Sequence, residues 1–362
     1  MWQRFLNIWH PENFHLHHRL RGGRGVAFEG WYFKLVDPEG AGPLALIPGV
    51  FFGEDPHAFI QVLDGRLGKA FYHRFPVEAF HADPQRFDIR IGDNRFHTAG
   101  ISVALDDPAG SAGSRLKGEI TIGRWAQWPV TLTQPGVMGP YAFVPMMECN
   151  HGILSMDHEI SGRLVLDGRE TDYAGGRGYL EKDWGKSFPE GYVWTQSNHF
   201  DEPGVSISAS VAKIPWLTGA FRGFLVGMLH DGQLHRFTTY NGGSIRKLAI
   251  DDTHLTLEIV NRTHHLEIRA EKKRGGTLHA PYGNAMVARV AETMTSLVYV
   301  RLSGRKSGEL LFSGVGKHGC LEMQGNLAFI TDRVAVPLRQ VITDPIPRQR
   351  ISNASRNSSP RL

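Results

Sequence analysis

Three Asp-Gly pairs constrain this chain more than any other feature. Asp64-Gly65, Asp167-Gly168 and Asp231-Gly232 each separate two runs of strand-forming residues: 58–63 from 66–75, 162–166 from 169–173, and 221–230 from 233–240. Both central residues of a type I′ turn need positive φ, which Asp and Gly tolerate, so each pair predicts a β-hairpin. Ser244–Ile250, His254–Val260 and His264–Glu271 follow, divided by Asp251-Asp252 and Asn261-Arg262. They predict an antiparallel meander with barrel-like turn spacing.

No stretch of about 12 residues carries a helical stripe. Only 285–300 is ambiguous, and its end, rich in Val, Tyr and Leu, favours a strand. The 42 Gly and 20 Pro suit a chain of many turns. At 362 residues the chain fits two domains or one large all-β body. The aromatic segments Phe28-Glu29-Gly30-Trp31-Tyr32-Phe33 and Gly191-Tyr192-Val193-Trp194-Thr195-Gln196 look alike and lie about half a chain apart. Each would open a β-unit. The expectation is an all-β chain of two tandem antiparallel barrel or sandwich domains, 1–188 and 189–335, meeting near Phe188-Pro189. The Pro-, Ser- and Arg-rich 336–362 is expected to be a disordered basic tail.

The net charge is +4, but residues 333–362 alone carry six Arg and one Asp. The remainder is close to neutral, without the basic stripe of a nucleic-acid-binding fold. Cys149 and Cys320 are the only cysteines, which excludes a disulfide scaffold. The first residues lack the apolar core of a signal peptide, and no apolar run approaches 18 residues. A cytoplasmic protein with reduced thiols is expected, with room for peripheral contact with a membrane. Gly22-Gly23-Arg24-Gly25 is not followed by the Lys-Ser/Thr of a phosphate loop, and no Ser sits in a G-x-S-x-G elbow.

Three segments carry a family resemblance. Phe28 to Phe33 resembles the FEGWYF segment of tocopherol cyclases. Tyr179-Leu180-Glu181-Lys182-Asp183-Trp184-Gly185, with Phe188-Pro189, Trp194, Gln196 and Asn198, is similar to their EKNWG…FP…W-Q-N stretch. Leu278-His279-Ala280-Pro281 resembles their L-x-A-P segment. The order and spacing fit from about residue 10 to about residue 330. The resemblance implies two lipocalin-like β-domains, a fold shared in outline with carotenoid hydratase-like proteins and certain Diels–Alderases. It also implies an apolar, prenylated small-molecule substrate. The plant enzymes close a chromanol ring on a prenylated hydroquinone without redox change and without a cofactor. Two departures stand out. Asp183 occupies the place of Asn, and the stretch from Met147 through His158 replaces an apolar, Trp-containing segment.

Such a cyclisation protonates an alkene, so it needs an acid, an aromatic lining and a dry pocket. A carboxyl is acidic enough and still protonated near neutrality only where burial raises its pKa. Strand alternation puts Tyr192, Trp194, Gln196 and Asn198 on one face, expected to be a barrel interior that grips the substrate together with Trp31 and Trp184. A packed core with satisfied amides is the other reading of that face. Glu181 and Asp183 also share a face, and Glu29 shares one with Trp31 and Phe33. Asp183, Glu181 and Glu29 are therefore the candidate acids. The competing reading pairs Asp183 with Lys182 or Lys186, and Glu29 with Arg24. Glu148, His151, Asp157 and His158 lack compact metal-ligand spacing, so no metal is expected; they read as a polar cluster at the pocket mouth, or Glu148 and His151 as an acid–base pair. Two functions follow: a cofactor-free cyclase, or a lipocalin-like protein that binds a hydrophobic small molecule without turning it over. A buried, unpaired carboxyl beside the aromatic face separates them.

Overall fold

The computed structural model describes residues 7–106, 114–145, 147–216 and 218–332. The expected tail at 336–362 lies outside these residues. Asp167 and Gly168 have φ of 50° and 83°, and Asp231 and Gly232 have φ of 50° and 68°, so both pairs form the primed hairpin turn their chemistry favours. Asp64-Gly65 differs. Its strands close at Asp64 and Lys69, which leaves a four-residue connection with Gly68 as its positive-φ residue. The Gly65 N–H is taken by the Pro43 carbonyl, and the Asp64 carboxylate accepts from the Leu67 N–H, so the wider loop satisfies its own polar groups.

Two antiparallel sheets make up the structure. The first holds β1 (Ala27–Val36), β2 (Leu44–Phe52), β3 (His57–Asp64), β4 (Lys69–Pro76), β5 (Phe80–Ala82), β6 (Asp88–Ile91), β7 (Asn94–His97), β8 (Gly100–Leu105), β9 (Leu116–Ile122), β10 (Cys149–Leu166), β11 (Arg169–Asp172) and β12 (Gly176–Gly185). The second holds β13 (Gly191–Ser197), β14 (Ser206–Trp216), β15 (Gly219–His230), β16 (Gln233–Thr238), β17 (Ser244–Ile250), β18 (His254–Val260), β19 (His264–Glu271), β20 (Gly276–Tyr282), β21 (Ala285–Gly304) and β22 (Leu310–Gly325). The predicted meander is β17 to β19. The ambiguous 285–300 stretch is most of β21, and bulges near Thr293 and Ser296 break its register. In both sheets a four-strand meander leads, and its first strand pairs with the last: β1 with β12, and β13 with β22. Each unit is lipocalin-like. The chain leaves the first sheet at Gly185 and enters the second at Gly191.

Period-two alternation then decides where the core sits. One face of the first sheet, including Trp31, Phe33, Leu46, Ile60, Phe96, Ile120 and Leu180, converges on a single cluster, so the sheet curls round its own apolar filling. The second sheet does the same with Val193, Ile207, Val226, Leu257, Ile268 and Val300. A third cluster joins the opposite faces of both sheets: Tyr32, Ile153 and Tyr179 from the first meet Tyr192, Trp194, Leu278 and Val290 from the second. Among the described residues no helix is long and apolar enough to cross a membrane.

Candidate functional site

A large cavity lies between the two sheets, whereas the interiors of the two sheets, expected to hold the substrate, are occupied by buried apolar clusters. Its walls come from Phe28, Gly30 and Tyr32 on β1, Glu181 and Asp183 on β12, and Tyr192 and Trp194 on β13. Further lining comes from Phe59, His151, Phe188, Phe221, Leu278 and Glu322. The empty space, open mouth included, is about 1320 Å³. Most of the lining is aromatic or aliphatic, and no Lys or Arg lines it among the described residues.

The alternation of β12 supplies the polar end. Tyr179, Glu181 and Asp183 point away from the first sheet's core toward the second sheet. Glu181 Oε2 accepts two hydrogen bonds from neutral donors, the Tyr179 hydroxyl at 2.5 Å and the Trp194 indole N–H at 3.1 Å. His151 on β10 sits between the two acids of β12, with Nδ1 2.9 Å from Asp183 Oδ1 and Nε2 3.7 Å from Glu181 Oε2. Burial pushes the Glu181 pKa up to about 8; His151 opposes this, and Asp183 reinforces it. Burial alone would lower the His151 pKa, but Asp183 and Glu181 overcome it and carry it to about 9. Burial thus favours the neutral form of Glu181, while the two acids beside His151 favour its imidazolium form. His151, Glu181 and Asp183 each offer a ligand atom, all within 4.8 Å of one another. A divalent ion there would have three protein ligands, one short of a closed zinc site.

The other predicted site residues lie elsewhere. Glu29 is fully buried on the core face of β1, but it is paired: Lys182 Nζ stands 2.6 Å from it, and the backbone N–H groups of His15 and Leu16 donate to it at 2.8 and 3.1 Å. Burial alone would raise its pKa; Lys182 and His15 outweigh that and hold it below the ordinary range. Glu29 is thus not an available acid, and its partner is Lys182 in place of Arg24. Trp31 points the same way, stacked on Phe87 at 5.6 Å, with its N–H donated to the Glu12 carbonyl. Trp184 stacks on His15 at 4.5 Å. Lys182 Nζ lies 4.9 Å from the Trp31 ring and 4.6 Å from the Trp184 ring. Neither tryptophan reaches the cavity, because odd and even residues of a strand face opposite ways and these two fall on the core side.

Gln196 and Asn198 share the face of Trp194 but sit beyond the cavity. Gln196 Oε1 accepts from Lys34 Nζ at 2.8 Å. The Asn198 amide donates to Asp157 at 3.0 Å and to the Gly178 carbonyl at 2.9 Å. These amides fasten the second sheet to the first and do not face a ligand. The Met147–His158 stretch divides in the same way: of Glu148, His151, Asp157 and His158, only His151 joins the acids. Glu148 accepts from Ser187 at 2.9 Å, Asp157 pairs with Arg177, and His158 meets Ser155 at 2.9 Å with its pKa lowered to about 4 by burial. Glu292, Glu322, Tyr32 and Tyr179 complete the polar end and were not read from the sequence.

Residues 64–325 match a family model described as tocopherol cyclase-like. Over 157 residues the chain is 28% identical to a probable chloroplastic tocopherol cyclase of Oryza sativa subsp. japonica, a match covering 42% of this chain and 33% of that protein. Over 204 residues it is 26% identical to a chloroplastic tocopherol cyclase of Zea mays, covering 53% of this chain and 42% of that one. The matched stretch spans less than half the length of these relatives. Among solved structures, CghA crystallised with Sch210972 superposes with a TM-score of 0.55 at 12% identity, over 83% of this chain and 89% of that one, a likeness of fold. The family model covers well over half the sequence, from the first Asp-Gly turn to the end of β22, and the chain belongs to the tocopherol cyclase-like family.

Proposed function

We propose that this protein closes a ring on a neutral, hydroxyl-bearing prenylated substrate by protonating its alkene, with Glu181 as the acid and no cofactor. The observation that carries the reading is the Glu181 carboxyl. It lines an apolar cavity, both its hydrogen-bond donors go to Oε2, and Oε1 is left to hold the proton. Its raised pKa keeps that proton in place near neutrality. The names of the rice and maize relatives support the reaction class. The absence of Lys and Arg from the lining argues against an anionic head such as a diphosphate, and the carboxyl-rich end favours a head that donates hydrogen bonds.

In this reading the Glu181 proton bonds one alkene carbon, the tertiary cation forms beside Trp194 and Tyr32, and the hydroxyl oxygen captures it. An aromatic face contributes about 2 kcal/mol to a desolvated cation. General acid catalysis adds about 10²–10⁴-fold, and positioning in the dry cavity provides the remainder. His151, held by Asp183, faces the negative charge that appears on Glu181 after the transfer.

The test is incubation with a panel of neutral prenylated hydroquinones in D₂O, scored by mass spectrometry and NMR. The expected product is a cyclised isomer with one deuterium on the ring-closing alkene's protonated carbon. Glu181→Gln should lower turnover by about 10²–10⁴-fold with the fold intact. Tight binding without product would leave a hydrophobic-ligand binding protein as the function. Turnover that needs an added divalent ion and stops with a chelator would replace the proton donor by a metal at His151, Glu181 and Asp183.

A further inference from the structure

A second pair of carboxyls meets the cavity from the other sheet. Glu292 on β21 and Glu322 on β22 are direct cross-strand partners, and Glu322 is also the cross-strand partner of Trp194. Glu292 is fully buried, whereas Glu322 is half-buried and lines the cavity. Glu292 Oε1 accepts from the Tyr32 hydroxyl, and Glu322 Oε2 accepts from the Tyr192 hydroxyl at 2.7 Å. Glu292 Oε2 is buried without a hydrogen-bond donor, and the Glu292 and Glu322 side chains lie within interaction reach of each other. Two carboxyls in such reach cannot both ionise cheaply, so they share one proton. The Lys34 ammonium, which interacts with Glu292, gives its hydrogen bond to Gln196. Tyr32, Lys34, His151, Glu181, Asp183, Tyr192 and Cys320 are titratable groups turned toward the pair.

Resting on the function proposed above, we infer that Glu322, with Glu292 as its buried proton-sharing partner, is the base that takes the hydroxyl proton of the ring-closing oxygen. Acid and base then reach the substrate from opposite sheets, Glu181 from β12 and Glu322 from β22, with Trp194 touching the first and paired beside the second. The step balances without any redox partner. The alkene π pair takes the Glu181 proton to form a C–H bond, the oxygen lone pair closes the C–O bond on the resulting cation, the O–H bond breaks, and Glu322 gains that proton. Passing one proton from Glu322 back to Glu181 resets the site. Only the lining member of the pair can touch substrate; the sealed Glu292 keeps the pair's charge to a single negative unit.

Three variants test this: Glu181→Gln, Glu322→Gln and Glu292→Gln, each checked for an intact fold by circular dichroism. Turnover is measured on a geranylgeranylated hydroquinone, and the protonated-carboxyl infrared band on substrate-free protein. Glu322→Gln should lower kcat by about 10²–10⁴-fold while KM stays within about threefold. Glu322→Asp should recover part of that rate, which a merely structural role would not produce. In the infrared, Glu292→Gln should remove a protonated-carboxyl band that Glu181→Gln leaves in place. If Glu181→Gln is inactive but Glu322→Gln keeps the wild-type rate, or if Glu292→Gln leaves every band unchanged, the assignment of the pair is wrong and the Glu181 reading survives. If the wild-type protein closes no ring on this substrate or its prenyl-length homologues, both fall together.

Discussion

Glu29 and Glu181 stand on adjacent strands, both buried, with their pKa values pushed in opposite directions. The difference lies in what each strand face presents. Glu29 points into the first sheet's core, where the Lys182 ammonium touches it and two backbone N–H groups donate to it. Glu181 points between the sheets, where a phenol and an indole donate, and the His151 imidazole is 3.7 Å away and hydrogen-bonded to Asp183. A buried carboxyl follows its partners: contact with a full charge holds Glu29 ionised, and neutral donors leave burial to keep Glu181 protonated. The ion pair anchors residues 11–16 across the core, since Lys182 Nζ also donates to the carbonyls of Pro11 and Asn13.

The largest effect should come from breaking the pair. Lys182→Met leaves a buried carboxylate without its cation, which costs about 3–5 kcal/mol. Urea denaturation should show that loss, and the Glu29→Gln/Lys182→Met double variant should recover much of it, because a neutral amide needs no counter-charge. A loss below about 1 kcal/mol in the single variant would mean that the backbone N–H groups alone hold Glu29.

The next effect separates the two carboxyls by pH. The Glu29 pKa is depressed in the folded chain, so its contribution to stability is present above the ordinary carboxylate range and is lost as pH falls through the folded value. Glu181 has the opposite sign. Between the ordinary value of 4.5 and the folded value of about 8, the native state holds a proton that the unfolded chain has released. Stability therefore falls across that window by up to about 1.4 kcal/mol per pH unit from this group. Glu292 and Glu322 tilt stability the same way, so Glu181→Gln should flatten the slope without abolishing it. An unchanged slope between wild type and Glu181→Gln would show that Glu181 is ionised in the native state.

What alternation made readable, and what it did not, follows from the same two faces. The hairpins at Asp167-Gly168 and Asp231-Gly232 and the meander at 244–271 were legible because turn chemistry and period-two patterning are local. The shared face of Glu181 and Asp183 was legible for the same reason. Alternation cannot say which of two buried faces is a core and which opens on a cavity. Trp31 and Trp194 sit in look-alike segments, yet one fills a core and the other lines the site. Glu292 and Glu322 left no local signal, since they meet the acids only through the pairing of β13 with β22 and of β22 with β21. His151 was noticed within a cluster that the fold disperses; what selects it is its register opposite Asp183 in the β10–β12 pairing.

The smallest effect tests how neutral donors tune the acid. The Tyr179 hydroxyl donates to Glu181 Oε2 at 2.5 Å, and a hydrogen bond of this kind favours the ionised carboxylate over the neutral acid. Tyr179→Phe removes that donor and keeps the ring, which is fully buried in the layer between the sheets. The Glu181 pKa should then rise above its present value, because Tyr179 is one of the groups lowering it. A weaker acid donates more slowly, so turnover at neutral pH should fall a few-fold, while the alkaline limb of the pH–rate profile moves to higher pH. A hydrogen bond to a neutral or partly charged acid is worth about 1 kcal/mol, so the limb should move by about half a unit to one unit. In Lys182→Met the same limb should stay where it is, since that substitution acts on the other face of β12. A limb that moves downward in Tyr179→Phe, or moves equally in both variants, would mean that the acid titrating in the profile is not Glu181.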